Sequence, residues 1–238
     1  MLLFVIRHGD PIYYPDTLTP LGKLQAQALA KRFAIHGLDR IYSSPLGRAR
    51  ETAQPTADVL KLPVEIEEWT SEQLACDDFG LIYPNGKWGW IFNQPTHEFL
   101  QDGDADLNHQ NWDQAKTMQV LPDAKKRYER VTAASDEFLE KLGYRREGTG
   151  VYRIIKPSEE RIALFCHQGF SMIWFPVLLG IVPHIFWSSF DINHAGVSVF
   201  EFKNYESGFT SPRCVSLSDN SHLLRDGLPY KHQNYLPL

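Results

Sequence analysis

Leu2-Leu3-Phe4-Val5-Ile6-Arg7-His8-Gly9-Asp10-Pro11 is the stretch from which the fold is read. The apolar residues from Leu2 to Ile6 run without alternation and stop abruptly at a charged turn broken by glycine. A strand buried on one face alternates. One that is apolar at every position is covered on both faces, as the central strands of a parallel sheet are. Thr19-Pro20 then supplies an N-cap followed by proline at the first helical position. Leu21 to Ala34 places Leu21, Ala28, Leu29 and Phe33 near one face at helical spacing, and His36-Gly37 closes that helix. Leu38 to Tyr42 reads as a second short strand. Ser43-Ser44-Pro45 follows it, and then a helix from about Arg48 to Leu60. This order predicts an α/β fold, a doubly wound, mostly parallel sheet with helices on both faces. In such a sheet the loops at the carboxyl ends of the strands build the site.

Further along, Pro122 to Leu142 is an amphipathic helix with Tyr128, Val131, Ser135, Phe138 and Leu142 on one stripe. Gly150 to Lys156 and Arg161 to His167 read as two strands joined through Pro157-Ser158-Glu159-Glu160 into a hairpin. The second, with Ile162 to Cys166 apolar throughout, is expected to be central. Phe170 to Ile181 is expected as a buried helix. Gly196 to Phe202 and Gly208 to Leu217 form a terminal antiparallel pair, and the last twenty residues an extended tail. Residues 69–120 interrupt the pattern with Trp69, Trp88, Trp90, Trp112, Pro84, Gly86, Pro95 and Gly103 and little periodicity. They read as an insertion in a single domain of residues 1–238, either a lid or side wall over the site or a merely structural excursion.

Of the 238 residues, 43% are hydrophobic, 22% charged and 13% aromatic, which excludes disorder, collagen and coiled coil. The formal net charge is −5 and the longest basic run is Lys125-Lys126-Arg127, so no nucleic-acid partner is expected. Cys76, Cys166 and Cys214 are widely spaced and odd in number, the usage of reduced thiols in the cytoplasm. The apolar start is too short for a signal peptide. Met172 to Pro183 falls short of the about 20 residues of a membrane span, so no membrane partner is expected. His36, His97, His109, His184, His194, His222 and His232 lack close-set ligand spacing, and no metal or other cofactor is expected. Nothing in the sequence fixes the oligomeric state.

Three segments carry chemistry, each just past a predicted strand: Arg7-His8-Gly9, Ser43-Ser44-Pro45-Leu46-Gly47-Arg48-Ala49 and Cys166-His167-Gln168-Gly169. Neighbouring strand ends open into one crevice, where Arg7, His8, Arg48 and His167 can meet. Two guanidinium forks and two imidazoles match a dianionic phosphate. Arg48 on the first turn of a helix opposes the helix dipole, which points to a compensating anion, read here as a bound one.

Four motifs in order, Ile6-Arg7-His8-Gly9, Leu18-Thr19-x-x-Gly22-x-x-Gln25-Ala26, Tyr42-Ser43-Ser44-Pro45-Leu46-x-Arg48-Ala49-x-x-Thr52-Ala53 and Cys166-His167-x-Gly169, resemble the histidine phosphatase superfamily, and within it the phosphoglycerate-mutase-like branch. The likeness covers about residues 2–60 and 150–202. It implies a phosphoglycerate-mutase-like fold and a metal-independent, histidine acid phosphatase-like phosphomonoesterase acting on a small phosphorylated metabolite. His8 is then the nucleophile, forming a phosphohistidine through one ring nitrogen while the other donates to a backbone carbonyl. Arg7, Arg48 and His167 clamp the phosphoryl oxygens. Gly9, Asp10, Ser44, Gln168 and Gly169, in the same loops, are the expected substrate-binding positions.

The resemblance also implies an acid, commonly a Glu shortly after the second helix. Glu72 is favoured, with Asp77 and Glu68 as alternatives, and in a shifted alignment Cys76 takes the acid's place. Asp10-Pro11 departs from the Glu or Gln usual after Arg-His-Gly, leaving the leaving-group side unsettled. Lys87 and Lys116 are the basic residues of the insertion, too few to retain a bisphosphorylated intermediate, so hydrolysis is favoured over a mutase-type phosphoryl transfer. A non-catalytic phospho-ligand-binding protein is the alternative from another class. The insertion's tryptophans serve either as packing or as an aromatic wall for a planar leaving group.

Overall fold

The computed structural model describes residues 1–94, 97–98 and 107–229. Its strands and helices, in chain order, are β1 (Leu2–Arg7), β2 (Pro11–Ile12), β3 (Thr17–Leu18), α1 (Pro20–His36), β4 (Arg40–Ser43), α2 (Gly47–Leu60), β5 (Val64–Ile66), α3 (Glu72–Phe79), β6 (Gly80–Ile82) and β7 (Trp88–Trp90). There follow α4 (Ala124–Lys141), β8 (Tyr144–Gly148), β9 (Val151–Ile154), β10 (Arg161–Cys166), α5 (Gln168–Leu179), α6 (Pro183–Ser189), β11 (Val197–Glu201), β12 (Phe209–Thr210), β13 (Arg213–Asp219) and α7 (Ser221–Arg225).

The main sheet has the order β13-β11-β1-β10-β4-β5. β1, β10, β4 and β5 run parallel, and β11 and β13 extend the sheet antiparallel from β1. The fold is therefore α/β with a mostly parallel sheet, as the unbroken apolar runs of β1 and β10 require. Leu3 and Val5 of β1 and Ile162, Leu164 and Cys166 of β10 enter a core shared with α4, α5 and α6. Phe4, Ile6, Ala163 and Phe165 enter a second core with α1 and α2 on the opposite face. Each fully buried Leu, Ile or Phe contributes about 1.5–3 kcal/mol relative to exposure, which is why both faces must be covered.

Helix boundaries follow local signals. Thr19 Oγ1 accepts from the Gly22 amide as the N-cap of α1, and Gly37, at φ 73°, ends that helix with its amide on the Phe33 carbonyl. On α4, Val131, Ser135 and Phe138 are buried, along the expected stripe.

Two expectations are corrected. Val151–Ile154 forms no hairpin with Arg161–Cys166. It pairs antiparallel with β8, and with β12 on its other side, in a separate three-stranded sheet. The turn at 157–160 instead carries the chain to the centre of the main sheet, where β10 lies between β1 and β4. The expected terminal antiparallel pair is present as β11 with β13, its second strand starting only at Arg213 because Phe209–Thr210 pairs with β9. The stretch expected as a tail, residues 219–238, begins instead with the last residue of β13 and a helix, Ser221–Arg225. Residues 230–238, His232 among them, lie outside the described residues, as do Pro95 and Gly103.

The inserted segment contains α3, the β6–β7 hairpin and several short 3-10 turns. Phe79, Trp90, Ile91, Phe92, Trp112 and Met118 all join the core that covers α5. The three cysteines are free. Among the described residues no helix is long and apolar enough to cross a membrane.

Candidate active site

Three adjacent parallel strands end at one level. Arg7 stands opposite Cys166, and Phe165 opposite Ser43. The residues that follow are locked to those ends, the His8 amide donating to the Cys166 carbonyl at 2.9 Å and the Ser44 amide to the Phe165 carbonyl at 2.9 Å. His8, Ser44 and His167 are thereby delivered together.

The His8 ring is buried, and its Nδ1 lies 2.7 Å from the Gly9 carbonyl. A carbonyl only accepts, so Nδ1 carries the proton and Nε2 keeps its lone pair. Arg48 Nε–H points at that nitrogen from 3.3 Å, and the His167 ring lies 5.1 Å away between centroids. Burial, then the neighbouring His167, Arg7, His194 and Arg48, holds the His8 pKa well below the ordinary imidazole value. His8 is neutral at pH 7.

Arg7 is buried and donates from Nη1 to the Ile192 carbonyl at 2.6 Å and from Nη2 to His194 Nε2 at 2.7 Å. Its Nε has no partner among the described residues. His167 is fully buried, with Nε2 2.7 Å from Ser44 Oγ and Nδ1 without a partner among the described residues. Burial first, then Arg48 and Arg7, lowers its pKa well below the usual value.

The cavity over this cluster has a volume of about 540 Å³. Arg7, His8, Arg48, Glu72 and Gln168 line it, together with Tyr13, Asp16, Leu46, Gln73, Cys76, Trp88 and Trp90. Of the candidate acids the fold brings Glu72 here, while Glu68 and Asp77 are exposed and outside the lining. Glu72 accepts from the Gly169 amide at 3.0 Å and the Phe170 amide at 2.9 Å. Burial raises its pKa, partly offset by those two amides and by Arg48 and Arg7. Cys76 lines the cavity too, its thiol pushed up to about 12 by burial.

The flanking positions divide. Gln168 lines the cavity and donates to Asp191 at 2.7 Å. Ser44 stands behind His167, holding its ring. Gly9 packs against α1, where an added Cβ would lie 2.7 Å from the Gly22 carbonyl oxygen. Asp10 is outside the described lining; its amide donates to Gln25 at 2.8 Å and its carboxylate accepts from the Thr19 hydroxyl at 2.7 Å. At Gly169 an added Cβ would lie 2.4 Å from the Trp90 ring, so the glycine admits that tryptophan.

One reading is overturned. The anion that compensates Arg48 comes from the chain itself: Asp16 Oδ1 pairs with Arg48 Nη1 at 2.7 Å, and Asp16 Oδ2 accepts from the Gly47 amide at 2.6 Å. Asp16 thus serves the amino end of α2, where a carboxylate is favourable. The sequence does not point to Asp16 or Tyr13, because the β2–β3 turn that brings them over has no periodicity to read. The four tryptophans split. Trp69 and Trp112 pack in the core, while Trp88 and Trp90 form part of the cavity wall. Among the described residues no group of three or more His, Cys, Asp or Glu side chains is arranged to hold a metal ion.

A sequence profile of the histidine phosphatase superfamily (branch 1) matches residues 3–77, which hold Arg7, His8, Arg48 and Glu72. The match takes in about a third of the chain. The chain is 36% identical over 75 residues to a protein of Hydrogenobacter thermophilus named, provisionally, phosphoserine phosphatase 2. That match covers 28% of this chain and 37% of that relative. A likeness in fold alone extends over nearly the whole length. A phosphoserine phosphatase from Entamoeba histolytica, in complex with 3-phosphoglyceric acid, superposes with a TM-score of 0.60 at 19% identity, covering 93% of this chain and 98% of that one. A mycobacterial glucosyl-3-phosphoglycerate phosphatase complexed with VO3 gives 0.56 at 17%, covering 91% and 98%. The α-ribazole phosphatase of Shigella flexneri gives 0.53 at 20%, covering 92% and 96%.

Proposed function

We propose that this protein is a phosphomonoester hydrolase of the histidine phosphatase superfamily and that it works through a phosphohistidine at His8. The observation that carries the reading is the Nδ1–H bond of His8 to the Gly9 carbonyl. It leaves a neutral, lone-pair-bearing Nε2 among Arg7, Arg48 and His167.

In this reading the phosphoryl oxygens of a small phosphorylated metabolite lie on Arg7, Arg48 and His167. Arg48 turns from Nε2 to the phosphoryl group as the substrate enters. His8 Nε2 attacks phosphorus, the P–O ester bond breaks, and its electron pair leaves on the alcohol oxygen. Glu72 donates the proton that oxygen needs, a task suited to a carboxyl whose pKa is raised by burial. Water then attacks the phosphohistidine and gives its proton to Glu72, and the P–N bond pair returns to His8. Inorganic phosphate departs. The cationic side chains stabilise the charge developing on the phosphoryl group.

Hydrolysis is favoured over a mutase-type transfer because Arg7, His8 and Arg48 are the basic residues among the described lining, with no further set for a second phosphate. Three free cysteines and an acidic net charge favour a cytoplasmic location.

Phosphate release from a panel of monophosphates, with intact protein and His8→Ala, tests the assignment. Turnover that vanishes in His8→Ala is expected. A requirement for a bisphosphate primer would instead favour the transferase. Tight vanadate binding with no turnover would favour a phospho-ligand-binding protein.

A further inference from the structure

We infer, on the reading of the site as one for phosphomonoesters, that the alcohol half of the substrate carries a planar aromatic or heteroaromatic ring, received against Trp88 and Trp90. These two indoles meet edge to face at 5.2 Å between centroids. Trp90 is buried and stacks on Phe92 at 5.2 Å with 12° between planes, so one of its faces is spent in the core. Trp88 is 52% exposed and lines the cavity, so its ring is open to a ligand there.

The wall is built into the backbone. An added Cβ at Gly169, in the catalytic loop, would lie 2.4 Å from the Trp90 ring, and one at Gly80 would lie 2.9 Å from the Trp88 ring. Gly169 thus clears the space that Trp90 occupies, while at Gly80 the Cys76 carbonyl, 2.6 Å from the same added Cβ, is nearer than Trp88. The Tyr83 hydroxyl, donating to the Trp90 carbonyl at 2.5 Å, fastens the β6–β7 hairpin from its other side.

The charges of the cavity leave little else for the leaving group to meet. Arg7 and Arg48 sit at the phosphoryl end. Asp16 is engaged by Arg48 and the Gly47 amide, and Glu72 by two backbone amides. Among the described residues of the cavity, a carboxylate or second phosphate on the leaving group would find no further cation, and an ammonium group no free carboxylate. An aromatic ring finds indole. The volume of about 540 Å³ falls within the usual range for small-ligand sites, about 300–1,000 Å³.

Titration calorimetry with non-hydrolysable phosphonates tests this apart from catalysis. Benzylphosphonate is expected to bind about 3- to 10-fold more tightly than cyclohexylmethylphosphonate, the range an aromatic contact supplies beyond simple burial. Phosphonoacetate and 2-aminoethylphosphonate are expected to bind more weakly still. Both Trp88→Leu and Trp88→Ala should close the gap between the planar and the saturated ring. Tightest binding of phosphonoacetate or of 2-aminoethylphosphonate would overturn the inference. So would a gap that survives in both variants, or no binding by any of the four. Benzyl phosphate hydrolysis is read separately: preference for benzylphosphonate without hydrolysis would keep the aromatic wall and remove only the hydrolase assignment.

Discussion

The Glu72 carboxylate caps the helix that carries Gly169, accepting that residue's amide at 3.0 Å and the next one at 2.9 Å. The group proposed as acid is thereby tied to the loop that holds His167. Glu72→Gln keeps one oxygen acceptor, so one of the two amides loses its partner, a cost of about 1–3 kcal/mol. It also removes the titrating proton. Alkyl phosphates should slow by about 100-fold or more, within the usual contribution of general acid catalysis, and aryl phosphates with good leaving groups much less. The same carboxyl sets the pH dependence. His8, with its pKa pushed down, is ready well below pH 6.5, while Glu72, with its pKa pushed up, stays protonated above the usual carboxylate range. Alkyl phosphate turnover should therefore fall as pH rises through the Glu72 pKa. Equal slowing of alkyl and aryl substrates in Glu72→Gln, or a flat pH profile, would remove Glu72 from the acid role.

Asp16 pairs with Arg48, so in the proposed reaction it would compete with the phosphoryl group for that guanidinium. Asp16→Asn keeps an oxygen for the Gly47 amide and removes the charge. A partly exposed ion pair of this kind is worth about 0.2–1 kcal/mol. Inhibition by inorganic phosphate should strengthen by up to about 5-fold in the variant, at 1.4 kcal/mol per factor of ten. Weaker inhibition would show that Asp16 instead aims Arg48 at the phosphoryl group.

Gly169→Ala puts a methyl group 2.4 Å from the Trp90 ring. With Trp90 held against Phe92, the strain should cost about 1–3 kcal/mol in urea denaturation, typical of overpacking. Turnover should fall with it. A variant as stable as the parent would mean that Trp90 is free to swing away.

Acid should destabilise the fold through its buried imidazoles. His222 is lowered to about 4, chiefly by burial and then by Arg32, and His8 and His167 are lowered well below their ordinary value. A histidine whose folded pKa is depressed binds its proton more readily in the unfolded chain. Stability is thus present above about pH 6.5 and is lost as pH falls toward 4. His222→Gln should remove on the order of 2 kcal/mol of that loss between pH 7 and pH 4, measured as the denaturation midpoint at each pH. An unchanged slope would show that His222 does not titrate on unfolding.

What could be read from sequence was what local chemistry determines. Leu2–Ile6 announces a strand covered on both faces, and Thr19-Pro20 a helix start, because both depend on neighbours in the chain. Arg7, His8, Arg48 and His167 could be grouped because strand ends in a parallel sheet share a crevice. Glu72 could be chosen among three carboxylates only by its place after α2; the fold separates them by burying the path from α3 to the Gly169 loop. The 157–160 turn was misread because its short polar sequence suits a hairpin, whereas the partner of Val151–Ile154 depends on β8 and β12. Asp16 was invisible for a related reason. Its role comes from a contact with Arg48, 32 positions along the chain.

The most direct measurement is rapid acid-free quenching of the protein with a turned-over monophosphate, followed by mass spectrometry of the peptide holding residue 8. Phosphate on His8, labile to acid, absent from His8→Ala and disappearing as free phosphate is released, is the predicted result. Phosphate release with no label on His8 at any time, or release that persists in His8→Ala, would contradict the phosphohistidine route.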